Sequence, residues 1–267
     1  MCCAAPYDQH VRRLDLNADL GEGQAETDAA LLALVSSANV ACGLHAGNAH
    51  IMSKTVGLAV RHGVAVGAHP GFDDREGFGR RPMQLTPAEL SDILLFQLGA
   101  LDAIARAEGT TLHHVKPHGA LYNQAQIDES IARAMIAAVR VFDANLPLVG
   151  RGGSAMAMAA GAVDHPFIAE AFADRRYRHD GSLAPRSEPG SVLTDADDVA
   201  AQVRALVTES KVLSSDGSWV PVTFETLCLH GDTPGSPALA GRVRQELATL
   251  GVTVSAARLL GVDTLPP

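Results

Sequence analysis

The sequence lacks three features that would each define a class of protein. It has no run of 18 or more apolar residues, so no segment is long enough for a membrane-spanning helix. It has no Cys-x-x-Cys pair, and its four cysteines, Cys2, Cys3, Cys42 and Cys228, are typical of reduced thiols in the cytosol. It has no excess of positive charge, because 21 Lys and Arg against 30 Asp and Glu give a net charge of −9. That balance argues against a protein that coats nucleic acid or an anionic membrane.

Several well-known catalytic motifs are also absent. The chain has no Walker loop, no G-x-S-x-G elbow and no H-E-x-x-H helix. Residues 150–155 match the dinucleotide pattern G-x-G-x-x-A, but the match lies in mid-chain and the turn after the first predicted strand has no such fingerprint, so we give it little weight. The first ten residues contain no apolar segment that would make a secretory signal. We therefore expect a cytoplasmic protein.

The hydrophobic pattern predicts an α/β fold. The length of 267 residues and the 47% hydrophobic content fit one domain over residues 13–267, preceded by a flexible tail over residues 1–12. Helical stretches alternate with seven strand-like segments, at residues 13–18, 38–43, 64–68, 112–116, 146–150, 167–172 and 226–229. This alternation predicts a parallel sheet with helices outside. Periodicity leaves open whether the seven strands close into a barrel or form an open doubly wound sheet.

Local signals mark several elements. Thr86-Pro87-Ala88-Glu89 is a capping box that predicts a helix ending near Gly109. Asp128, Asp195 and Ser236 are expected to begin three further helices. The segment from Lys211 to Val220 is predicted to be a hairpin turning at Asp216-Gly217, inserted before the last strand.

Polar side chains collect where the predicted strands end. In parallel α/β folds, ligands bind at the carboxyl ends of the strands. Spacing by two residues points each set to one side of its strand. The residues are Asp15, Asn17 and Asp19 on the first strand, Asn39 and His45 on the second, His69 after the third, His114, Lys116 and His118 on the fourth, Glu170 and Asp174 on the sixth, and Cys228, His230 and Asp232 on the seventh. Any one histidine here would more often be an ordinary loop residue, but four at four strand ends favour a catalytic site.

Lys116 and two arginine-rich loops indicate a site for a negatively charged group. The chain has only three lysines, and Lys116 lies inside a predicted strand. It would either extend its ammonium group to the rim of the sheet or polarise a carbonyl or phosphate oxygen. Arg80 and Arg81 lie in one loop, and Arg175 and Arg186 lie in another. In an acidic chain, such local positive clusters suggest that a carboxylate or phosphate is bound.

The histidines also allow a metal site. His45, His69, His118 and His230, together with Asp15 or Asp19, offer nitrogen and oxygen ligands. No two of these histidines have the close spacing of a strong zinc motif. The hypothesis of a bound divalent metal on His45, His69 and His118 therefore depends on the fold bringing strand ends together.

Eight blocks of the sequence closely resemble the LamB/YcsF family. They are LNADLGEG (16–23), SSANVACGLHAG (36–47), GAHPG (67–71), GFGRR (77–81), HVKPHGALYN (114–123), FADR (172–175), PRS (185–187) and HGD (230–232). The resemblance runs from about Leu14 to Val254. It implies an irregular seven-stranded β/α (TIM-like) barrel of the glycoside hydrolase/deacetylase superfamily. It also implies the A subunit of an ATP-dependent 5-oxoprolinase, which hydrolyses a lactam, with ATP and Mg²⁺ as cofactors and subunits B and C as partners.

The resemblance implies roles for particular residues. Asp19 or Asp174 would be the general base for water, Lys116 would neutralise a developing oxyanion or phosphate, and His45, His69, His118 and His230 would move protons or hold a divalent ion. Asn17, Asn39, Arg80, Arg81, Arg175 and Arg186 would bind substrate or phosphate. Two rivals remain: a metal-dependent deacetylase or amidohydrolase that needs no ATP, and a non-enzymatic binding subunit. The sequence leaves open whether the chain forms a homo-oligomer.

Overall fold

The fold is described from a computed structural model, which covers residues 12–257. The predicted tail of residues 1–12 lies outside this range except for Arg12, and so do Cys2 and Cys3. Arg12 is the first residue of the first strand. Within residues 12–257, no helix combines the length and the apolar character needed to cross a bilayer.

The described residues form ten strands, and seven of them lie where the sequence predicts strands. They are β1 (Arg12–Leu20), β2 (Ser37–Ala41), β3 (Ala65–His69), β4 (His114–Val115), β5 (Leu148–Arg151), β6 (Phe167–Phe172), β7 (Lys211–Leu213), β8 (Trp219–Pro221), β9 (Thr226–His230) and β10 (Val252–Val254). β7 and β8 pair antiparallel as the predicted hairpin. β10 was not predicted, because three residues are too few to show a periodic pattern.

The parallel strands close into a barrel of seven. β1 pairs with β2 on one side and with β9 on the other, and β9 also pairs with β6. The alternative of an open doubly wound sheet is therefore wrong, and the predicted barrel is confirmed. The barrel is irregular, because β4 has two residues and meets β5 through one pair, Val115 and Leu148. β10 extends the sheet by pairing with the first three residues of β1.

Eight helices lie in the described range, and their ends follow local sequence signals. They are α1 (Ala25–Leu32), α2 (Ala49–His62), α3 (Pro87–Ala107), α4 (Gly119–Ala125), α5 (Glu129–Phe142), α6 (Ala155–Gly161), α7 (Ala196–Glu209) and α8 (Ser236–Thr249). The capping box of Thr86 and Glu89 is confirmed at the start of α3, and Asp128 and Asp195 cap α5 and α7. Leu94, Leu98 and Leu101 on α3 are fully buried in the hydrophobic core.

The inside of the barrel is polar. Alternate residues of β1 share one face, and their side chains hydrogen-bond across the interior: Asp15 accepts from Ser37 Oγ at 2.8 Å, and Asn17 Nδ2 donates to Glu170 Oε1 at 3.1 Å. The residues between them, Leu16 and Ala18, pack in the hydrophobic core. Parallel barrels are usually filled by layers of branched aliphatic side chains. Here the inward-facing side chains are polar instead, and charged groups lie toward the carboxyl ends of the strands.

Candidate active site at the carboxyl ends of the strands

A cavity of about 440 Å³ opens at the carboxyl ends of the barrel strands. This volume suits a small substrate. Of the residues predicted for the site, its walls contain Asp19, His69, Arg80, Lys116, His118, Arg175, Arg186 and His230. Asn17, Asn39, His45 and Asp174 are buried behind or below these walls, and Arg81 lies apart from the cavity.

Lys116 is held in a buried ion-pair network at the floor of the cavity. Its Nζ lies 3.0 Å from Asp19 Oδ1, 2.9 Å from Glu170 Oε1 and 2.9 Å from Cys228 Sγ. Burial opposes the charge of Lys116, but Asp19, Cys228 and Glu170 raise its pKa well above the usual range. The ammonium group donates its three hydrogen bonds to Asp19 Oδ1, Cys228 Sγ and, at 3.3 Å, Asn17 Oδ1, so the predicted contact with an oxyanion or phosphate would require Lys116 to exchange a partner.

Asparagine side chains fix the position of Asp19. Asn39 Nδ2 donates to Asp19 Oδ1 at 2.9 Å and to Asn17 Oδ1 at 2.8 Å. Burial would raise the pKa of Asp19, but His69 and Lys116 outweigh it and hold that pKa well below the usual range. Asn17 and Asn39, which were predicted to bind substrate or phosphate, lie in this supporting layer below the cavity.

Glu22, His45, His69 and His118 form a compact group that we call the histidine cluster. His118 Nδ1 lies 3.0 Å from His69 Nε2 and 3.3 Å from Glu22 Oε1. The rings of His45 and His118 stack with centroids 3.9 Å apart. A side chain at Gly79 would collide with both of these residues, at 2.8 Å, and Gly79 also has a φ of +64°. Burial, the largest influence, lowers the pKa of His45 to about 3, so this ring is neutral.

His230 is oriented by Asp174. Its Nδ1 lies 2.9 Å from Asp174 Oδ1, and its backbone N–H donates to Asp174 Oδ2 at 3.1 Å. Thr233 Oγ1 donates to the same carboxylate at 3.0 Å. Burial would raise the pKa of Asp174, but the influence of His230 prevails and lowers it. A carboxylate only accepts hydrogen bonds, so His230 Nδ1 carries its proton and Nε2 is left as the basic nitrogen.

Four arginines also line the cavity, Arg80, Arg151, Arg175 and Arg186, and we call them the arginine wall. Arg80 and Arg186 both form ion pairs with Asp232.

Arg175 is buried, where it donates to the backbone oxygens of Ser191 and Ala184, and burial lowers its pKa to about 10. Arg81 instead pairs with Asp74 at the surface.

Three further residues of the site were not singled out from the sequence. Glu22 lies in the turn between Gly21 and Gly23, directly after β1. Its position directly after a strand end is the sequence feature that could have identified it as a site residue. Arg151 and Tyr122 line the cavity, but Arg151 sits in the weak dinucleotide match and Tyr122 follows the strand by several residues on a helix. Neither position has a sequence pattern that separates it from ordinary packing.

The arrangement combines proton transfer with anion binding. An imidazole with one nitrogen fixed by a carboxylate can take a proton from water and return it to a leaving group. The guanidinium groups that line the same cavity can hold a carboxylate or phosphate. A hydrolytic reaction on a small, negatively charged substrate fits both features.

Comparisons with known proteins identify the family of this chain. The model of the LamB/YcsF family matches residues 14–260. A protein of Methylococcus capsulatus, named as the A subunit of 5-oxoprolinase, is 51% identical over 253 residues, which cover 92% of this chain and 96% of that relative. The crystal structure of a lactam utilization protein from Thermus thermophilus superposes with a TM-score of 0.85 at 47% identity and covers 91% of this chain and 99% of that one. The chain therefore belongs to the LamB/YcsF family.

Proposed function

We propose that this chain is the A subunit of a multi-subunit 5-oxoprolinase, which converts 5-oxo-L-proline to L-glutamate at the expense of ATP. The Methylococcus capsulatus relative supports this proposal, since it carries that name and is 51% identical over nearly its whole length. The observation that carries the proposal is the cavity at the strand ends, which is lined both by an oriented histidine, His230, and by the arginine wall. Subunits B and C would complete the assembly.

The chemistry explains why ATP would be needed, with Mg²⁺ to neutralise the charge of its phosphates. The ring amide of 5-oxoproline is stabilised by resonance. Transfer of the γ-phosphoryl group to its oxygen forms an O–P bond, releases ADP and makes the ring carbon electrophilic. Water then adds to that carbon, the ring C–N bond breaks with the nitrogen taking a proton, and a second water replaces the phosphate.

The structure favours His230 as the group that accepts the proton of water. A general base works best when its pKa lies near the working pH. The pKa of Asp19 lies far below that range, and Asp174 is engaged by His230 and Thr233. We therefore assign Asp174 as a positioning residue, Asp19 as a fixed negative charge, and the arginine wall as the site for the substrate carboxylate or phosphate.

One experiment tests this function. Purified chain is mixed with and without subunits B and C, 5-oxoproline and MgATP, and glutamate and phosphate are measured together. We expect equal amounts of the two products only when all components are present. The lactam 2-pyrrolidinone, which lacks the carboxylate, should be turned over poorly because the arginine wall cannot hold it. Glutamate formation without ATP would overturn the proposal.

A second candidate is an ATP-independent, metal-dependent amidohydrolase or deacetylase. The histidine cluster favours it, because imidazole and carboxylate donors converge there. The same assay distinguishes the two, since this alternative predicts hydrolysis of an amide by the chain alone that persists when ATP is omitted and stops when a chelator is added.

A further inference from the structure

The donor atoms of the histidine cluster are spaced as metal ligands are. His118 Nδ1 lies 3.0 Å from His69 Nε2 and 3.3 Å from Glu22 Oε1, and all the inward atoms of the cluster lie within 4.8 Å of one another. Donors about 2.1 Å from a shared ion are separated by about 3.0–3.4 Å in octahedral and tetrahedral shells. The cluster therefore has the dimensions of a first coordination shell.

Hydrogen bonds outside the cluster fix which ring nitrogens are basic. His69 Nδ1 lies 2.6 Å from the carbonyl oxygen of Lys116, and His118 Nε2 lies 2.8 Å from that of Phe78. A carbonyl oxygen only accepts, so both outer nitrogens carry protons, and the inner nitrogens are the ones that can offer a lone pair to an ion. Histidines that bind metals typically donate their other N–H in this way.

Part of the cluster lacks a hydrogen-bond partner. His69 Nε2 lies 3.0 Å from His118 Nδ1 and 3.4 Å from Asp19 Oδ2, so a proton on His69 Nε2 is one way to satisfy these atoms and a metal ion in its place is the other. Glu22 Oε1 and both nitrogens of His45 are buried without a hydrogen bond, and the Glu22 side chain is only 6% exposed. One proton could relieve the contact between His69 and His118 but would leave Glu22 Oε1 unpaired. An ion would satisfy all three ligands.

A second group of possible metal ligands already contacts a cation, the ammonium group of a lysine. Asp19, Cys228 and His230 also bring ligand atoms within 4.8 Å of one another. The ammonium group of Lys116 contacts both Asp19 Oδ1 and Cys228 Sγ, so a cation is present there. In the histidine cluster, by contrast, no ammonium or guanidinium group among the described residues contacts the inner atoms.

We propose that Glu22, His69 and His118 bind a divalent metal ion of the zinc class. Two imidazoles and one carboxylate suit zinc and its neighbours better than magnesium or calcium, which prefer oxygen alone. The rings of His69 and His118 are perpendicular, at 89°, so both planes can contain the ion. His45 stacks parallel to His118, at 4°, and becomes a fourth ligand only by rotating out of that stack.

The site is open on one side. Glu22, His69 and His118 all line the cavity, whereas His45 lies behind them. Three protein ligands with one free position are typical of catalytic rather than structural metal sites. When bound, the ion would act as a Lewis acid on a carbonyl oxygen or on water in the cavity. This inference concerns binding only, and it stands whether or not the substrate is 5-oxoproline.

Direct binding measurements test the proposal. We would use the full chain carrying Cys2→Ser and Cys3→Ser, because thiolates bind zinc strongly on their own. Chelator-treated protein is titrated with Zn²⁺ by calorimetry, and with Co²⁺ by visible absorption, which reports the ligand geometry. Glu22→Gln and His118→Ala are compared with His50→Ala, which removes an exposed histidine on α2. Thermal unfolding is recorded with and without metal.

We expect one Zn²⁺ per chain, and a loss of affinity of about 100-fold or more in Glu22→Gln and His118→Ala. His50→Ala should bind as the parent does. Zn²⁺ should raise the melting temperature of the parent and of His50→Ala but not of Glu22→Gln, which changes only one atom of the side chain and so controls for misfolding of His118→Ala. Absence of stoichiometric binding, or equal binding by parent and Glu22→Gln, would overturn the proposal. The first result would leave a shared proton between His69 and His118 as the explanation of their contact.

Discussion

The histidine cluster and the arginine wall are built differently. The histidine cluster lies at the ends of adjacent strands, and its rings are fixed by backbone carbonyls and by glycines such as Gly79 that leave no spare volume. The arginine wall is carried mostly by loops, and the Arg80 side chain is 41% exposed. The histidine cluster is therefore prearranged for chemistry, whereas the exposed arginines of the wall can adjust to the charge of a ligand.

The largest effect is expected at Lys116. Lys116→Met removes the cation that Asp19 and Glu170 share, which leaves two buried carboxylates close together. We expect a loss of unfolding free energy of about 3–5 kcal/mol, measured by urea denaturation, with loss of activity. The double variant Lys116→Met/Glu170→Gln should recover part of that stability. If the single variant is as stable as the parent, the network does not hold the floor of the site.

Asp174→Asn separates orientation from folding. The neutral amide can no longer act as a negatively charged acceptor for His230 Nδ1. The proton is therefore no longer held on Nδ1, and Nε2 is no longer fixed as the basic nitrogen. We expect kcat of the full assembly to fall by about 10²–10⁴-fold with little change in KM. The pH profile of kcat should also change shape. A uniform loss of protein stability with an unchanged kcat would show that Asp174 is only structural.

Arg186→Ala tests the binding role of the arginine wall. Arg186 belongs to the arginine wall. Within the described residues it forms a single ion pair, in which its Nη2 lies 3.5 Å from Asp232 Oδ1. We expect KM for 5-oxoproline or ATP to rise about tenfold, equal to about 1.4 kcal/mol, while kcat changes less. Arg133→Ala, on the exposed face of α5, is the matched control. A fall in kcat alone would place Arg186 in the chemical step instead.

The smallest effect is expected at Asp28, which accepts a hydrogen bond from the backbone of Gly21 and so supports the turn that carries Glu22. Burial raises the pKa of Asp28 from 3.8 to about 6. The folded chain therefore holds this proton more tightly than the unfolded chain, and wild-type stability decreases as the pH rises from about 4 through about 6. Asp28→Asn should abolish this decrease and should be more stable than the parent by on the order of 1 kcal/mol at pH 7. Equal stability of the two proteins at pH 4 and pH 7 would contradict this account.

The sequence predicted the strands and the polar strand ends well, for physical reasons. Alternation along β1 and the capping box at Thr86 are local signals, and the structure confirms the elements they mark. Barrel closure is not local, because it depends on β1 meeting β9, which lies at the far end of the chain. The contacts of Lys116 with other strands and the position of Glu22 in the histidine cluster depend on the same closure. Arg80 and Arg81 are neighbours in one loop, and only the fold shows that Arg80 reaches the cavity while Arg81 turns to Asp74.

In the proposed mechanism, the carboxyl ends of the strands form one hydrolytic site with His230 as its base. The most direct test is the rate of glutamate formation by the full assembly carrying His230→Asn. We predict a decrease in kcat of at least about 10²-fold, with unchanged melting temperature and unchanged assembly with subunits B and C. A His230→Asn protein that forms glutamate at the parent rate would contradict the account.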